Sequence, residues 1–151
     1  MKKVALAAAA ALVLLVAAGC GGGGGGDKLT AEEYSSQLNT ICTEFNDKQD
    51  AAGNPQSLAD IGEIGPKVLD AFDSAIAEVE DLDPPSELEE AHNEFVDVGH
   101  QQRDVLSDLI DAAKDNDEAK AQELAAKGND LDKKSDAIAT DELKAPACAN
   151  G

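Results

Sequence analysis

Aromatic residues are scarce in this chain of 151 residues, which contains no tryptophan, one tyrosine and three phenylalanines. Stacking platforms for nucleic-acid bases or sugars need such side chains, so none is expected. Basic residues are also few, because 12 lysines and arginines stand against 31 aspartates and glutamates, and the net charge is −19. A surface of this charge repels phosphates and anionic lipid headgroups, which excludes nucleic acid as a partner.

Motifs of enzymes and cofactor sites are missing as well. The sequence has no Gly-x-Ser-x-Gly and no Cys-x-x-Cys-His, and the glycines at 21–26 lack the Lys-Ser/Thr of a phosphate-binding loop. The many carboxylates fall mostly on the outward faces of predicted helices, which is typical of a solvated surface. We therefore expect no enzymatic activity and no cofactor.

The two histidines, His92 and His100, lie eight residues apart on one predicted helix. This spacing separates them by about 80° around the helix axis, so they do not share a face. Glu89 and His92 form a single Glu-x-x-His, whereas di-iron bundles use two such motifs. We expect His92 at the edge of the core, and a metal or haem site that uses it stays the alternative.

An uncharged apolar stretch opens the chain after Lys2 and Lys3. It covers residues 4–18, about 15 residues, and is shorter than the roughly 20 that cross a bilayer as a helix. A positive start, a short apolar run and small residues after it are typical of an export signal.

The end of this stretch, Ala17-Ala18-Gly19-Cys20, resembles the lipobox of bacterial lipoproteins. In that family the cysteine thiol receives a diacylglyceryl group and becomes the new N-terminus after cleavage. The resemblance implies that residues 1–19 are a lipoprotein signal peptide and that Cys20 is lipidated. The protein would then be anchored on the extracytoplasmic face of the cell membrane. The alternative is a secreted protein with an unmodified Cys20.

Residues 20–29 would form a flexible glycine tether, and residues 30–151 one domain. Thr30 with Glu33, and Ser86 with Glu89, fit capping boxes at helix starts. Gly65-Pro66 should break the second helix, because the residue before proline is disfavoured in the α region. Apolar residues at helical spacing predict helices over 30–52, 66–82, 86–114 and 117–140, with a short helical turn at 57–63.

The predicted fold is all-α: an antiparallel up-down four-helix bundle with its second helix interrupted near Gly65-Pro66, followed by an irregular C-terminal tail. The inward face of the fourth helix carries small and polar residues, which indicates a narrow, weakly apolar seam. The inward residues are expected to be Tyr34, Leu38, Ile41, Cys42 and Phe45; Val68, Leu69, Phe72, Ile76 and Val79; Leu88, Ala91, Phe95, Gln102, Leu106, Leu109 and Ala113; and Leu124, Gly128, Leu131, Ser135 and Ile138.

If Cys20 is lipidated, Cys42 and Cys148 remain, and an even pair outside the cytosol is expected to be oxidised. Cys42 lies about 18 Å along the first helix. The tail from Asp141 reaches roughly 23 Å when extended. A disulfide is therefore feasible if the tail folds back along the bundle, and the alternative is two free thiols.

The part after the tether resembles small helical lipoproteins and secreted proteins of high-GC Gram-positive bacteria. The matching pieces are Ile41-Cys42 in the first helix, Leu82-Asp83-Pro84-Pro85 before the third, Asp117 at the start of the fourth, and Cys148. The resemblance implies the helical fold and the disulfide, and the family brings no established activity.

These observations lead to a lipid-anchored, extracytoplasmic helical bundle that acts as a non-enzymatic binding or interaction module of the cell envelope. Its partner would be an envelope protein or a small ligand, in addition to the membrane that holds the anchor. The alternative is a metal- or haem-binding envelope carrier that uses His92. An envelope enzyme is a third hypothesis, and a deep pocket with converging polar groups would favour it.

Overall fold

The computed structural model describes residues 28–149, and this part of the chain is helical without β-strands. The predicted four-helix bundle is confirmed, whereas the predicted signal peptide and Cys20 lie outside the described residues. A π-helical turn (Ile138–Glu142) and a 3-10 helix (Pro146–Ala149) form the C-terminal tail. The helices are α1 (Ala31–Ala52), α2 (Leu58–Glu80), α3 (Glu89–Lys114) and α4 (Glu118–Ala137).

Helices that follow one another along the chain pack side by side: α1 against α2, α2 against α3, and α3 against α4. The fourth side of the bundle differs, because α1 and α4 hardly touch each other. The 3-10 helix of the tail lies there instead and contacts both α1 and α4. Three sides of the bundle are therefore direct helix–helix interfaces, and the tail fills part of the fourth.

One of the two predicted capping boxes is present. Thr30 Oγ1 accepts the Glu33 backbone N–H at 3.2 Å, and Glu33 Oε2 accepts the Thr30 backbone N–H at 3.0 Å. The box predicted for Ser86 and Glu89 is wrong, since α3 begins only at Glu89 and has no side-chain cap. Pro85 starts a turn there in which its carbonyl accepts the Leu88 N–H, so the first helical turn forms later.

The predicted interruption at Gly65-Pro66 is also wrong, because α2 runs unbroken through both residues. Proline disfavours the helical conformation of the preceding residue partly through a clash with its Cβ, which Gly65 lacks. Gly65 is buried against Ile110 of α3, where an added Cβ would lie 2.6 Å from Ile110 Cγ1. Close packing on α3 therefore holds α2 together across the proline.

The core consists of two clusters of buried side chains. The first lies where α1 and α3 begin and the C-terminal tail starts, and it includes Tyr34, Leu38 and Leu143. The second joins the end of α3 to the start of α4 through Ala112 and Ala121. No residue from 42 to 64 is fully buried, so the second half of α1 leaves space in the interior.

Candidate functional site

A cavity of about 420 Å³ lies among the four helices and is lined by residues of both core clusters. This volume is within the range of sites that bind small molecules. Its apolar wall contains three phenylalanines: Phe45 of α1, Phe72 of α2 and Phe95 of α3. Phe45 and Phe72 meet edge to face, with ring centroids 5.2 Å apart. The cavity is therefore mostly apolar and shaped by aromatic side chains.

The middle of the inward face predicted for α3 lines the cavity, whereas Ala91 and Ala113 at its two ends are buried and do not line it. Phe95, Leu106 and Leu109 line the cavity and remain partly exposed. The side chains of α3 that pack most deeply include Val98 and Ile110, which lie beside that stripe. Helical periodicity thus identified the α3 side chains that face the interior. These side chains face a cavity there and not a packed core.

The polar wall of the cavity comes mainly from α4, which contributes Asn129, Asp132 and Asp136. Gln102 of α3 donates a hydrogen bond from Nε2 to Asp132 Oδ1 at 2.7 Å. Burial, and then the negative charge of Asp132, raise the pKa of Asp136 above its usual value. Among residues 28–149, those that line the cavity include no lysine, arginine or histidine.

Sequence reasoning missed these carboxylates because it assigned acidic side chains to outward faces. The signal that could have found them is the small residue Gly128, together with Ser135, on the inward face of α4. An inward face with small side chains leaves room between helices. Asp132 and Asp136, which flank Ser135, can then reach the interior.

The disulfide between Cys42 and Cys148 is present, and both residues line the cavity. The Cα atoms of the two cysteines are 5.0 Å apart. The tail lies along α1 as the predicted bridge requires, since the Ala147 N–H donates to Asn39 Oδ1 at 2.9 Å and Ser35 Oγ donates to the Leu143 carbonyl at 2.7 Å. The bridge therefore places the tail as a wall of the cavity.

His92 lies in the core and not at the cavity. Its Nδ1 shares a hydrogen bond of 2.9 Å with the Tyr34 hydroxyl, and both side chains are buried. Desolvation lowers the pKa of His92, and it raises the pKa of Tyr34 to about 12. His100 is exposed and pairs with Glu80 at 2.9 Å, while Glu89 pairs with Lys28. His92 thus has a packing role beside Tyr34.

Two further properties concern the described part of the chain. Within residues 28–149, no three His, Cys, Asp or Glu side chains are grouped so that they could hold a metal ion. None of the described helices has both the length and the apolar character needed to span a bilayer.

Comparison with protein-family models, with curated proteins and with solved structures finds no match to this chain. The cavity is therefore the feature of the protein from which a function can be inferred. A mainly apolar lining with a few polar groups is the arrangement that small-molecule sites use to bury a ligand and fix its orientation.

Proposed function

We propose that this protein is a lipid-anchored binding protein of the extracytoplasmic membrane face, which holds a small, mainly apolar molecule without converting it chemically. The cavity of about 420 Å³ carries this proposal. The anchor is supported by the lipobox-like sequence that ends at Cys20. Two or more acyl chains hold a protein firmly at a bilayer, where a single chain is marginal.

Ligand binding would be favourable because the apolar side chains that line the cavity are only partly buried. Phe72, Phe95 and Leu106 each keep part of their surface exposed. Removing apolar surface from water contributes about 25 cal/mol per Å². A molecule that covers these three side chains therefore gains most of its binding free energy from the burial of apolar surface, which requires no chemical step.

The polar groups on the cavity wall are suited to fix the orientation of a bound ligand. The Gln102 amide is already bonded to Asp132, and Asn46 donates from Nδ2 to the Ala147 carbonyl at 3.0 Å. These side chains are thus held in place before a ligand arrives. The enzyme hypothesis predicts chemical change instead, so a bound molecule that is recovered unaltered after prolonged incubation would separate binding from catalysis.

Filling the cavity tests the proposal. A Cβ at Gly128 would lie 3.8 Å from Val105 Cγ1, so Gly128→Leu should be accommodated and should occupy the ligand space. Leucine also favours a helix over glycine by about 1 kcal/mol. We expect unfolding stability to hold or rise while binding of the neutral dye Nile red, followed by fluorescence titration, weakens by about tenfold or more.

The matched control is Ala126→Leu, which adds a similar side chain on an exposed position of the same helix. It should leave Nile red affinity unchanged. Undiminished binding to the Gly128→Leu variant would contradict a ligand site between the helices.

The anchor has its own test. Cys20→Ser removes the thiol that would carry the diacylglyceryl group, so the variant should move to the aqueous phase in detergent partitioning or remain unprocessed. Cys148→Ser removes another cysteine and should partition like the unmodified sequence. A Cys20→Ser variant that is processed and still enters the detergent phase would disprove the lipid anchor.

A further inference from the structure

The two carboxylates at the cavity lie on one face of α4. Asp132 and Asp136 are four residues apart, which places their side chains one above the other along the helix. The lysines between them are engaged elsewhere: Lys133 pairs with Asp130 at 3.2 Å, and Lys134 pairs with Glu94 at 2.8 Å. The negative charge at the cavity is thus not neutralised by its basic neighbours on the helix.

The other walls supply no positive charge either. Among the cavity-lining residues, α1 offers the neutral amides of Asn46 and Gln49, α3 offers Gln102, and α2 offers no titratable side chain. Within the described residues, neither Asp132 nor Asp136 forms an ion pair with a lysine, arginine or histidine. Two carboxylates therefore border an apolar space to which the described part of the chain contributes no cation.

A partly buried pair of like charges is unfavourable by itself. Burial and the proximity of Asp132 both act against the ionised form of Asp136. A cation placed beside both carboxylates would reverse this effect, because the attraction between opposite charges strengthens where water is partly excluded. An ammonium group has three N–H donors and can reach two carboxylates at once.

We propose that the cavity selects amphiphiles with an apolar body and a cationic amine head, whose ammonium lies at Asp132 and Asp136, and that it discriminates against anionic amphiphiles such as fatty acids. This inference rests on the proposed ligand-binding function and names the chemical class of the ligand. The apolar chain would occupy the space lined by Phe45, Phe72 and Phe95.

Three probes with the same alkyl chain and different head groups test this preference: decylamine, decanol and decanoate at neutral pH, below their micellar concentrations. Each is titrated against Nile red bound to the whole purified protein. Decylamine should bind about tenfold or more tightly than decanol, since charge-assisted hydrogen bonds are the stronger kind. Decanoate should bind more weakly than decanol.

Asp136→Asn should reduce the affinity for decylamine by about tenfold and leave that for decanol unchanged. The matched control is Glu118→Gln, which removes one charge from the same helix at an exposed position outside the cavity and leaves the pair of Lys133 with Asp130 intact. It should preserve the preference for decylamine. This comparison separates a local contact from the attraction of any cation to a chain of net charge −19.

Equal affinities for decylamine and decanol would overturn the inference and leave the proposed binding function intact. An equal loss of decylamine affinity in Asp136→Asn and Glu118→Gln would also overturn it, because bulk charge alone would then explain the preference. If none of the probes displaces Nile red, and the dye itself does not bind, the proposed function fails together with the inference.

Discussion

At the residue scale, the contact between Tyr34 and His92 shows how the bundle accommodates a polar pair in its core. The Tyr34 side chain is completely buried, and the His92 ring meets it edge-on at 5.8 Å between centroids. A buried imidazole is favoured in its neutral form, because desolvation penalises the cation. The pair is therefore stable while both rings are uncharged.

The stability of the fold should therefore depend on pH through His92. The pKa of His92 is lower in the folded than in the unfolded chain, so its contribution is present above the ordinary value of 6.5 and is lost as the pH falls through the folded-state pKa. His92→Gln removes this titration. The difference in unfolding free energy between the original protein and His92→Gln should be larger at about pH 8 than at about pH 5.

Urea denaturation followed by circular dichroism at both pH values measures this difference. If the difference in unfolding free energy between the two proteins does not change with pH, protonation of His92 is not coupled to folding.

At the scale of helices, α2 continues through Pro66 because its glycines allow close contact with α3. Gly65 packs on the side chain of Ile110, which is 3% exposed and has little freedom to move. Gly62 faces Lys114 at a looser distance, since an added Cβ would lie 3.5 Å from Lys114 Cγ. The two glycines therefore differ in how much space they leave.

We expect opposite effects from the same substitution at these two sites. Gly65→Ala should destabilise the protein by roughly 1–3 kcal/mol, because its Cβ would overlap Ile110 in a packed interface. Gly62→Ala should be neutral or stabilising by up to about 1 kcal/mol, because alanine favours the helix and finds room. Thermal or urea unfolding measures both variants. Equal effects would contradict the close approach at Gly65.

At the scale of the whole molecule, the disulfide determines how the fourth side of the bundle is built. Cys42 and Cys148 are separated by 106 residues, so their bond ties the end of the described chain to the middle of α1. The tail then lies between α1 and α4, two helices that hardly touch each other. The bridge therefore fastens the tail to α1 on the side of the bundle where α1 and α4 have little direct contact.

Loss of the bridge should lower both stability and ligand affinity. A loop of this length contributes up to about 4–5 kcal/mol in the chain-entropy description, so reduction should lower the Tm by several degrees or more. Cys42→Ser and Cys148→Ser should each destabilise by a similar amount. The double variant should be no worse than either single variant, because all three remove one shared bond.

Calorimetry with and without reductant, together with mass spectrometry of non-reduced peptides, checks this prediction. Two cysteines that alkylate readily in the folded protein, purified without reductant, would refute the bridge and the position of the tail. Additive effects of the two single variants would indicate separate roles for the thiols.

Local patterns in the sequence determined the four helices and several of their ends. The capping box of Thr30 and Glu33 and the N-cap Asp117 act over one helical turn, so they can be recognised without knowledge of the fold. The pairing of Cys42 with Cys148 was also predicted from the sequence, on the expectations that the chain is exported and that Cys20 is lipidated, which leaves two cysteines for one intramolecular bridge.

Only the tertiary structure decided that α2 is continuous, that the tail has a defined conformation and that a cavity is present. Pro66 is tolerated within α2 because Gly65, the residue before it, packs against Ile110 of another helix. Leu143, in the tail predicted to be irregular, is completely buried by the first core cluster. The cavity exists because the inward faces of the helices do not meet, and the distance between helices depends on every side chain at their interfaces and not on the periodicity of any one of them.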